Sequence, residues 1–412
     1  MNQRSLQGWL LYIQTLHVKE MDLSLERVAL VAQRLNLSTT QSCPVITVAG
    51  TNGKGSCVAG LEAIYLAAGY RVGAFTSPYL YRHNEQVRIQ GKEAEDDLFC
   101  RAFEKVEMAR GEIGLTIFEF NTLATFIMFK EAKLDVWILE VGLGGRWDAV
   151  NVMDADVAIV ASIGIDHTDW LGHTREEIAF EKAGIFRSKA PAVCGDLDPP
   201  HTLIDVAKKI AAPLFCQNKQ FGFEKKQSSW DWWSEKNDLT DLPLSTLALQ
   251  NMATVLMAVE LLQQKLPVTR PAIVKALAKV TLPGRIQVIP GDVEQIFDVS
   301  HNPAAAEFLS TWLREHAISG KTRAVFSMLA DKDIVATLDV IKKYFAEWYI
   351  AALPVKRGAA LEVLTQSFKK AEIHQVKTFS TIKDAYHAAL KNSISGDRVV
   401  VFGSFHTVAE IK

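Results

Sequence analysis

The stretch VITVAGTNGKGS, Val45–Ser56, runs an apolar segment straight into closely spaced glycines and one lysine. Gly50, Gly53 and Gly55 surround Lys54, and glycines let backbone N–H groups turn toward an anion. A helix starting near Lys54 would add its positive N-terminal end. The lysine would give the outer phosphates a point charge, and the Ser56 hydroxyl would come within reach of a magnesium ion. The usual phosphate-loop spelling, GxxxxGK[ST], is not met, because Gly55 intervenes before Ser56. A bare strand–helix turn is the plain alternative.

Three other apolar runs end on polar residues. RVGAFTSPYL ends at Ser77, DVWILEVGLGGRWDAVN delivers Glu140 and then a glycine loop with Arg146 and Asp148, and AIVASIGIDHTDWLG delivers Asp166, His167 and Asp169. In a doubly wound sheet, ligands gather at the carboxyl ends of the strands. Four strands would then bring phosphate donors, a hydroxyl, a carboxylate and an imidazole to one rim. Ser, Glu and His together suit magnesium, which keeps few protein ligands beside water and phosphate oxygen. Singly, Ser77 before Pro78 reads as a turn residue, Glu140 as a solvated carboxylate and His167 as a structural histidine. Their shared placement favours the chemistry.

The elements that must hold these residues alternate from Pro44 onward. Short continuous apolar runs predict buried parallel strands at Val45–Ala49, Arg71–Thr76, Asp135–Val141 and Ala158–Ile163. Later ones fall at Gln295–Val299, Arg323–Met328, Trp348–Ala352 and Arg398–Phe402. Helices are expected at Ser56–Ala68 and Thr174–Phe186, the second opened by a Thr174/Glu177 capping box. Leu6, Trp9, Leu10, Ile13 and Leu16 recur at helical spacing. The chain therefore reads as α/β. Residues 213–245, with SSWDWWSEKNDLTDLPL, read as a peripheral antiparallel hairpin packing its tryptophans inward. A boundary is expected near TLPGRIQVIPGD, Thr281–Asp292.

A length of 412 residues suggests two or three domains. Hydrophobic content of 49% with 22% charged residues fits a soluble globular chain. A net charge of only −2 offers no global attraction to nucleic acid or an anionic membrane. Five widely spaced cysteines without a CxxC pair read as reduced thiols of a cytoplasmic protein rather than a zinc site. No signal peptide and no apolar run of about 18 residues is evident.

Taken together, GTNGKGS, TSPYL, EVGLGGRWDAVN, DHTDWLG, EKAGIFR, LPGR, FDVSHNP and VFGSFHTVA resemble the folylpolyglutamate synthases of the Mur-ligase superfamily, nearest their bifunctional bacterial branch. The resemblance implies a phosphate-loop-type, mostly parallel sheet ATPase domain over 1–284. It also implies a linker at 285–292 acting as a hinge, and a smaller Rossmann-like α/β domain over 293–412. It implies that Thr51, Asn52, Gly53, Lys54, Gly55 and Ser56 hold the ATP phosphates. Ser77, Glu140 and His167 would ligate magnesium, with Lys182 carried as a carbamate that helps bind a second ion. Asn251, Arg285, Asp298 and His301 would contact ATP. Glu20, Met21, Asp22, Leu23, Thr116, Ile117, Phe118, Glu119, Trp147, Asp148 and Ala149 would hold the pterin substrate.

The implied reaction is ATP-dependent amide ligation. A substrate carboxylate attacks the γ-phosphate, and the amine of L-glutamate displaces phosphate from the acyl phosphate. Lys54, Lys182, His167 and Arg285 are the expected catalytic residues. Dihydropteroate, reduced folates, L-glutamate and ATP are the small-molecule partners, and the family precedent is a monomer. The family spelling GGRLDATN differs here at Trp147 and Val150, and STLALQN before Asn251 lacks the usual HN. These departures bear on the pterin pocket and the adenine contacts. A ligase confined to folate polyglutamation, a cell-wall Mur ligase and a phosphate-loop kinase or switch NTPase are the competing readings.

Overall fold

The computed structural model describes residues 4–17 and 22–411 and divides into two compact units, Met1–Val280 and Thr281–Lys412. The first unit is built on an eight-stranded sheet. Its strands are β1 (Val45–Ala49), β2 (Val72–Phe75), β3 (Val87–Ile89), β4 (Lys92–Glu93), β5 (Val136–Glu140), β6 (Val157–Val160), β7 (Ala192–Cys194) and β8 (Leu214–Cys216). Their order is β4-β3-β2-β5-β1-β6-β7-β8. Strands β2, β5, β1, β6, β7 and β8 run parallel, while β3 and β4 add an antiparallel edge. VITVA, VWILE and VAIV are buried along their whole length, as strands covered on both faces must be.

Among the described residues ten α-helices accompany this unit: α1 (Leu6–Ile13), α2 (Glu26–Arg34), α3 (Lys54–Ala67), α4 (Asp96–Arg110), α5 (Ile117–Glu131), α6 (Thr168–Leu171), α7 (Arg175–Ala183), α8 (His201–Ile210), α9 (Leu249–Leu261) and α10 (Arg270–Leu277). Helix α1 buries Leu6, Trp9 and Ile13, the stripe its spacing predicts. The Thr174/Glu177 capping box opens α7. Register fixes the functional rim. Val48 pairs with Glu140, Ala49 with Val160 and Phe75 with Leu139, so four carboxyl ends lie side by side.

The tryptophan-rich segment forms a three-stranded antiparallel sheet, β9 (Phe221–Lys225), β10 (Ser229–Ser234) and β11 (Asp238–Pro243). The alternation W-D-W turns Trp230 and Trp232 inward and both are fully buried. Their indole N–H groups donate to Pro243 O and Ala253 O at 2.9 and 3.0 Å, so β10 is pinned to α9.

In the second unit the order is β12-β13-β17-β14-β15-β16. The strands are β12 (Gln287–Ile289), β13 (Glu294–Asp298), β14 (Thr322–Phe326), β15 (Glu347–Ile350), β16 (Val376–Thr378) and β17 (Arg398–Phe402). All but β12 are parallel. The segment expected as a linker, 285–292, carries β12, which pairs antiparallel with β13. A second core of Ile296, Phe326, Trp348, Phe368 and Phe402 lies beneath this sheet.

Candidate active site

The glycine turn after β1 is held from two sides. Gly53 has φ +86°, and a Cβ there would sit 2.5 Å from Asn251 Oδ1, so both conformation and space demand glycine. Thr51 N donates to Ser162 O at 2.8 Å. The Thr51 hydroxyl donates to Gly164 O and accepts from Gly164 N, both at 3.0 Å. Ser162 Oγ repeats the pattern with Asn52, accepting from its N and donating to its O, again at 3.0 Å. The turn is therefore tied to the segment leaving β6. Lys54 starts α3, and its ammonium donates to Gly50 O at 3.0 Å and Thr51 O at 3.4 Å. A cation beside a glycine turn at a helix N-terminus is an arrangement that favours an anion.

Glu140 closes β5 and is buried, and Ser77 N donates to its Oε2 at 3.3 Å. His167 caps α6 with φ 52°, and its N–H donates to Asp166 Oδ1 at 2.8 Å. Arg175 and Asp196, which no spacing rule singles out, hold the intervening segment. Asp196 accepts from Ile163 N at 2.6 Å and from Arg175 Nη2 at 2.9 Å, while Arg175 Nε donates to Ile163 O at 3.0 Å. Among the described residues no group of three or more His, Cys, Asp or Glu gathers as a metal cage. The rim's donors are one hydroxyl, one carboxylate and one imidazole, a set that fits an ion retaining water and phosphate oxygens.

Lys182 lies in the last turn of α7 and is 3% exposed. The loop after β5 presses on it. A Cβ on Gly145 would meet Glu181 O at 2.8 Å and Lys182 O at 3.0 Å. Arg146 N donates to Glu181 O at 2.8 Å and its guanidinium to Glu181 Oε1 at 2.6 Å. The same guanidinium lies between the rings of Trp147 and Phe180, at 4.9 and 4.7 Å. Burial, reinforced by the Lys54 charge, pushes the Lys182 ammonium down to about 7 against the pull of Asp166 and Asp148. Asp148 accepts from Leu143 N at 2.9 Å and Val150 N at 3.0 Å, yet burial outweighs those donors and lifts its carboxyl to about 7.

Of the segments expected around the pterin, Glu20 and Met21 lie outside the described residues. Thr116 and Glu119 form a capping box at the start of α5. Arg27, a residue the sequence did not flag, joins two of the segments by donating to Asp22 Oδ2 at 3.0 Å and Glu119 Oε1 at 2.8 Å. The Phe118 ring packs on the Gly142 backbone and lies 5.8 Å from the Phe75 ring. Trp147 is 43% exposed, whereas Ala149 is buried and Leu23 and Ile117 are half-buried. Ser56 is buried in the first turn of α3, beside Gly55.

Within the second unit, Asp298 is buried and accepts from Ile286 N and Ser300 N, both at 2.9 Å. The Arg285 guanidinium lies 5.4 Å from the Phe405 ring, and the His301 ring 6.4 Å from it. Arg285, Asp298 and His301 thus gather at the carboxyl ends of β13 and β17.

Comparison with known proteins adds to this geometry. Residues 48–252 match the Mur ligase middle domain, and residues 284–405 match the Mur ligase glutamate ligase domain. The chain is 45% identical to the dihydrofolate synthase/folylpolyglutamate synthase of Escherichia coli K12, over 98% of this chain and 94% of that protein. It is 41% identical to the Haemophilus influenzae protein of the same description, over 98% of this chain and 95% of the other. The structure of Escherichia coli FolC in complex with DHPP and ADP superposes with a TM-score of 0.94 at 44% identity, covering 99% of this chain and 97% of that one. A bifunctional folylpolyglutamate synthase/dihydrofolate synthase with Mn, AMPPNP and L-glutamate bound gives 0.92 at 44% identity, with 99% and 97% covered.

Proposed function

This chain belongs to the dihydrofolate synthase/folylpolyglutamate synthase family of Mur ligases, and we propose from that premise that it joins L-glutamate to dihydropteroate and then to reduced folates at the expense of ATP. The observation that carries this reading is the Lys54 turn, strapped to the end of β6 and flanked by the Glu140 end of β5.

A carboxylate cannot be attacked usefully by an amine, because its oxygen is a poor leaving group. Transfer of the γ-phosphoryl group to the substrate carboxylate gives an acyl phosphate and ADP. The α-amino group of glutamate then adds to the acyl carbon, and the tetrahedral adduct collapses to amide and phosphate. The protein must align two anions and offset the charge that develops. The amides of residues 53–56, the Lys54 ammonium and the α3 N-terminus do this for the phosphates. Asn251, against Gly53, is the nucleotide-side neighbour of that turn. Ser77, Glu140 and His167 would hold the divalent cation, which when bound supplies further positive charge to phosphate oxygens.

Lys182 has a second proposed role. Its amine is largely desolvated and half neutral near pH 7, so its lone pair is available to add carbon dioxide. The resulting carbamate would replace a repelled cation with an anion at the metal-facing rim. The pterin end of the substrate is assigned to Asp22, Leu23, Thr116–Glu119 and Trp147–Ala149. Arg285, Asp298 and His301 are proposed ATP contacts, and unchanged ATP use by His301→Ala would remove that role from His301. The enzyme is taken to act as a cytoplasmic monomer, for which sedimentation in solution is the check on oligomeric state. Among the described residues no helix is long and apolar enough to cross a membrane.

The test follows ADP release with ATP, magnesium and glutamate plus either dihydropteroate or tetrahydrofolate. Turnover with both is expected. Turnover with tetrahydrofolate alone would leave a folylpolyglutamate synthase in which Trp147 excludes the first substrate. Turnover with neither would remove the folate assignment.

A further inference from the structure

All five cysteines are free thiols, and the fold sets two of them side by side. Cys194 ends β7, Cys216 ends β8, and they are register partners in a parallel ladder, so both side chains leave the same face of the sheet. Neighbouring strands lie roughly 5 Å apart, inside the Cα separation of about 4.4–6.8 Å that a disulfide spans. The two thiols are close enough to shift each other's ionisation, Cys194 upward and Cys216 downward. Cys57 and Cys100 lie instead in helices α3 and α4, and Cys43 in the loop before β1.

The pair is asymmetric. Both thiols are buried, Cys194 fully and Cys216 at 4% exposure, but Cys216 lies on β8, the edge strand of the sheet, whose Leu214 and Phe215 are only half-buried. The adjacent Cys194 thiol, with help from Lys219, holds the Cys216 thiol below its ordinary value, while the same pairing and burial push Cys194 up. One sulfur is therefore poised to react and the other to resolve.

We propose that Cys194 and Cys216 form an oxidation site, a dithiol that a hydroperoxide converts into a disulfide between β7 and β8. The Cys216 thiolate attacks one peroxide oxygen, the O–O bond breaks, and the departing hydroxide takes a proton to become water. Cys216 is left as a sulfenic acid. The Cys194 sulfur then attacks the Cys216 sulfur, the S–O bond breaks, and hydroxide leaves with the Cys194 proton as a second water. Two electrons pass from the two sulfurs to one hydroperoxide.

The linkage has a structural reach. Gly195 follows Cys194 directly, and its carbonyl accepts from Gln250 at 2.7 Å, one residue before Asn251. Asp196, the next residue, holds Ile163 and Arg175. Oxidation ties the edge strand to the segment that supports the end of β6.

The full-length protein is treated with hydrogen peroxide, alkylated under denaturing conditions and mapped without reduction. The dose is set by oxidation of Met108, which is 75% exposed. The expected result is one cross-linked species containing Cys194 and Cys216, lighter by two hydrogens and released by a thiol reductant. In Cys194→Ser, the Cys216 sulfenic acid is expected to persist and react with a 1,3-dione. Full alkylation of both cysteines in the wild-type chain at that dose overturns the proposal. So does a disulfide that instead joins either of them to Cys43, Cys57 or Cys100.

Discussion

Replacing His83 with phenylalanine should make the protein less sensitive to acid. His83 is 7% exposed, and its ring packs 5.0 Å from Phe99, 6.3 Å from Phe103 and 6.0 Å from Tyr79. Burial in this aromatic nest pushes its imidazolium down to about 4, against weaker support from Asn121 and Asp96. An unfolded histidine titrates near 6.5. The folded value is the lower one, so between those limits only the unfolded chain takes up the proton. The stability His83 permits is complete above about pH 6.5 and is lost progressively as pH falls toward 4. A span of about 2.5 pH units at about 1.4 kcal/mol each comes to roughly 3.5 kcal/mol. Phenylalanine keeps the ring and drops the ionisation. The assay is urea unfolding of both proteins, followed by tryptophan fluorescence, from about pH 7.5 to about pH 4.5. The wild type should lose about 2–3 kcal/mol more than His83→Phe over that range, and taking the difference cancels every other titrating group. Parallel profiles would show that the histidine accepts its proton in the folded state, and would refute the reasoning.

Lys54→Ala should lower kcat/KM for ATP on the order of 10²–10³-fold with little change in melting temperature, read from ADP release and thermal unfolding. Gly145→Ala places a methyl group 2.8 Å from Glu181 O and 3.0 Å from Lys182 O, atoms of a helix backbone that cannot give way. It should cost about 1–3 kcal/mol in urea unfolding and depress activity together with stability. Trp147→Leu should raise KM for dihydropteroate roughly tenfold at unchanged kcat, the mark of a lost binding contact rather than a lost step. Asp196→Ala leaves the buried Ile163 N–H and Arg175 without their carboxylate. It should cost about 3 kcal/mol in unfolding and lower kcat through the segment that ends in His167.

Strands β1 and β17 are legible to the residue, because VITVA and RVVVF are β-branched-rich runs that each stop at a glycine, Gly50 and Gly403. The three-residue strands β7, β8 and β16 carry too few side chains for a period to emerge, and β12 has a half-exposed pattern that reads as loop. The alternating tryptophans of β10 announce an antiparallel strand, but β11, with Asp238 and Asp241 exposed, gives no comparable signal for the third strand. Ser77 and Glu140 are legible as neighbours because they end adjacent parallel strands. The residues that hold the rim are not. Arg27, Arg175 and Asp196 act on partners 92, 12 and 33 positions away, and no local spacing encodes such a pairing. The left-handed backbone of His167 is likewise set by the turn into α6 rather than by its own side chain.

The doubled hydroxyl bonds of Thr51 and Ser162 have a thermodynamic consequence. Each hydroxyl both gives and receives a proton across the same gap, so the turn is closed by two small rings of hydrogen bonds before any nucleotide arrives. A loop already fixed in this way has little disorder left to surrender on binding. Nucleotide association should therefore show the enthalpy of phosphate contacts with only a slight heat-capacity change, because no segment must fold around the ligand.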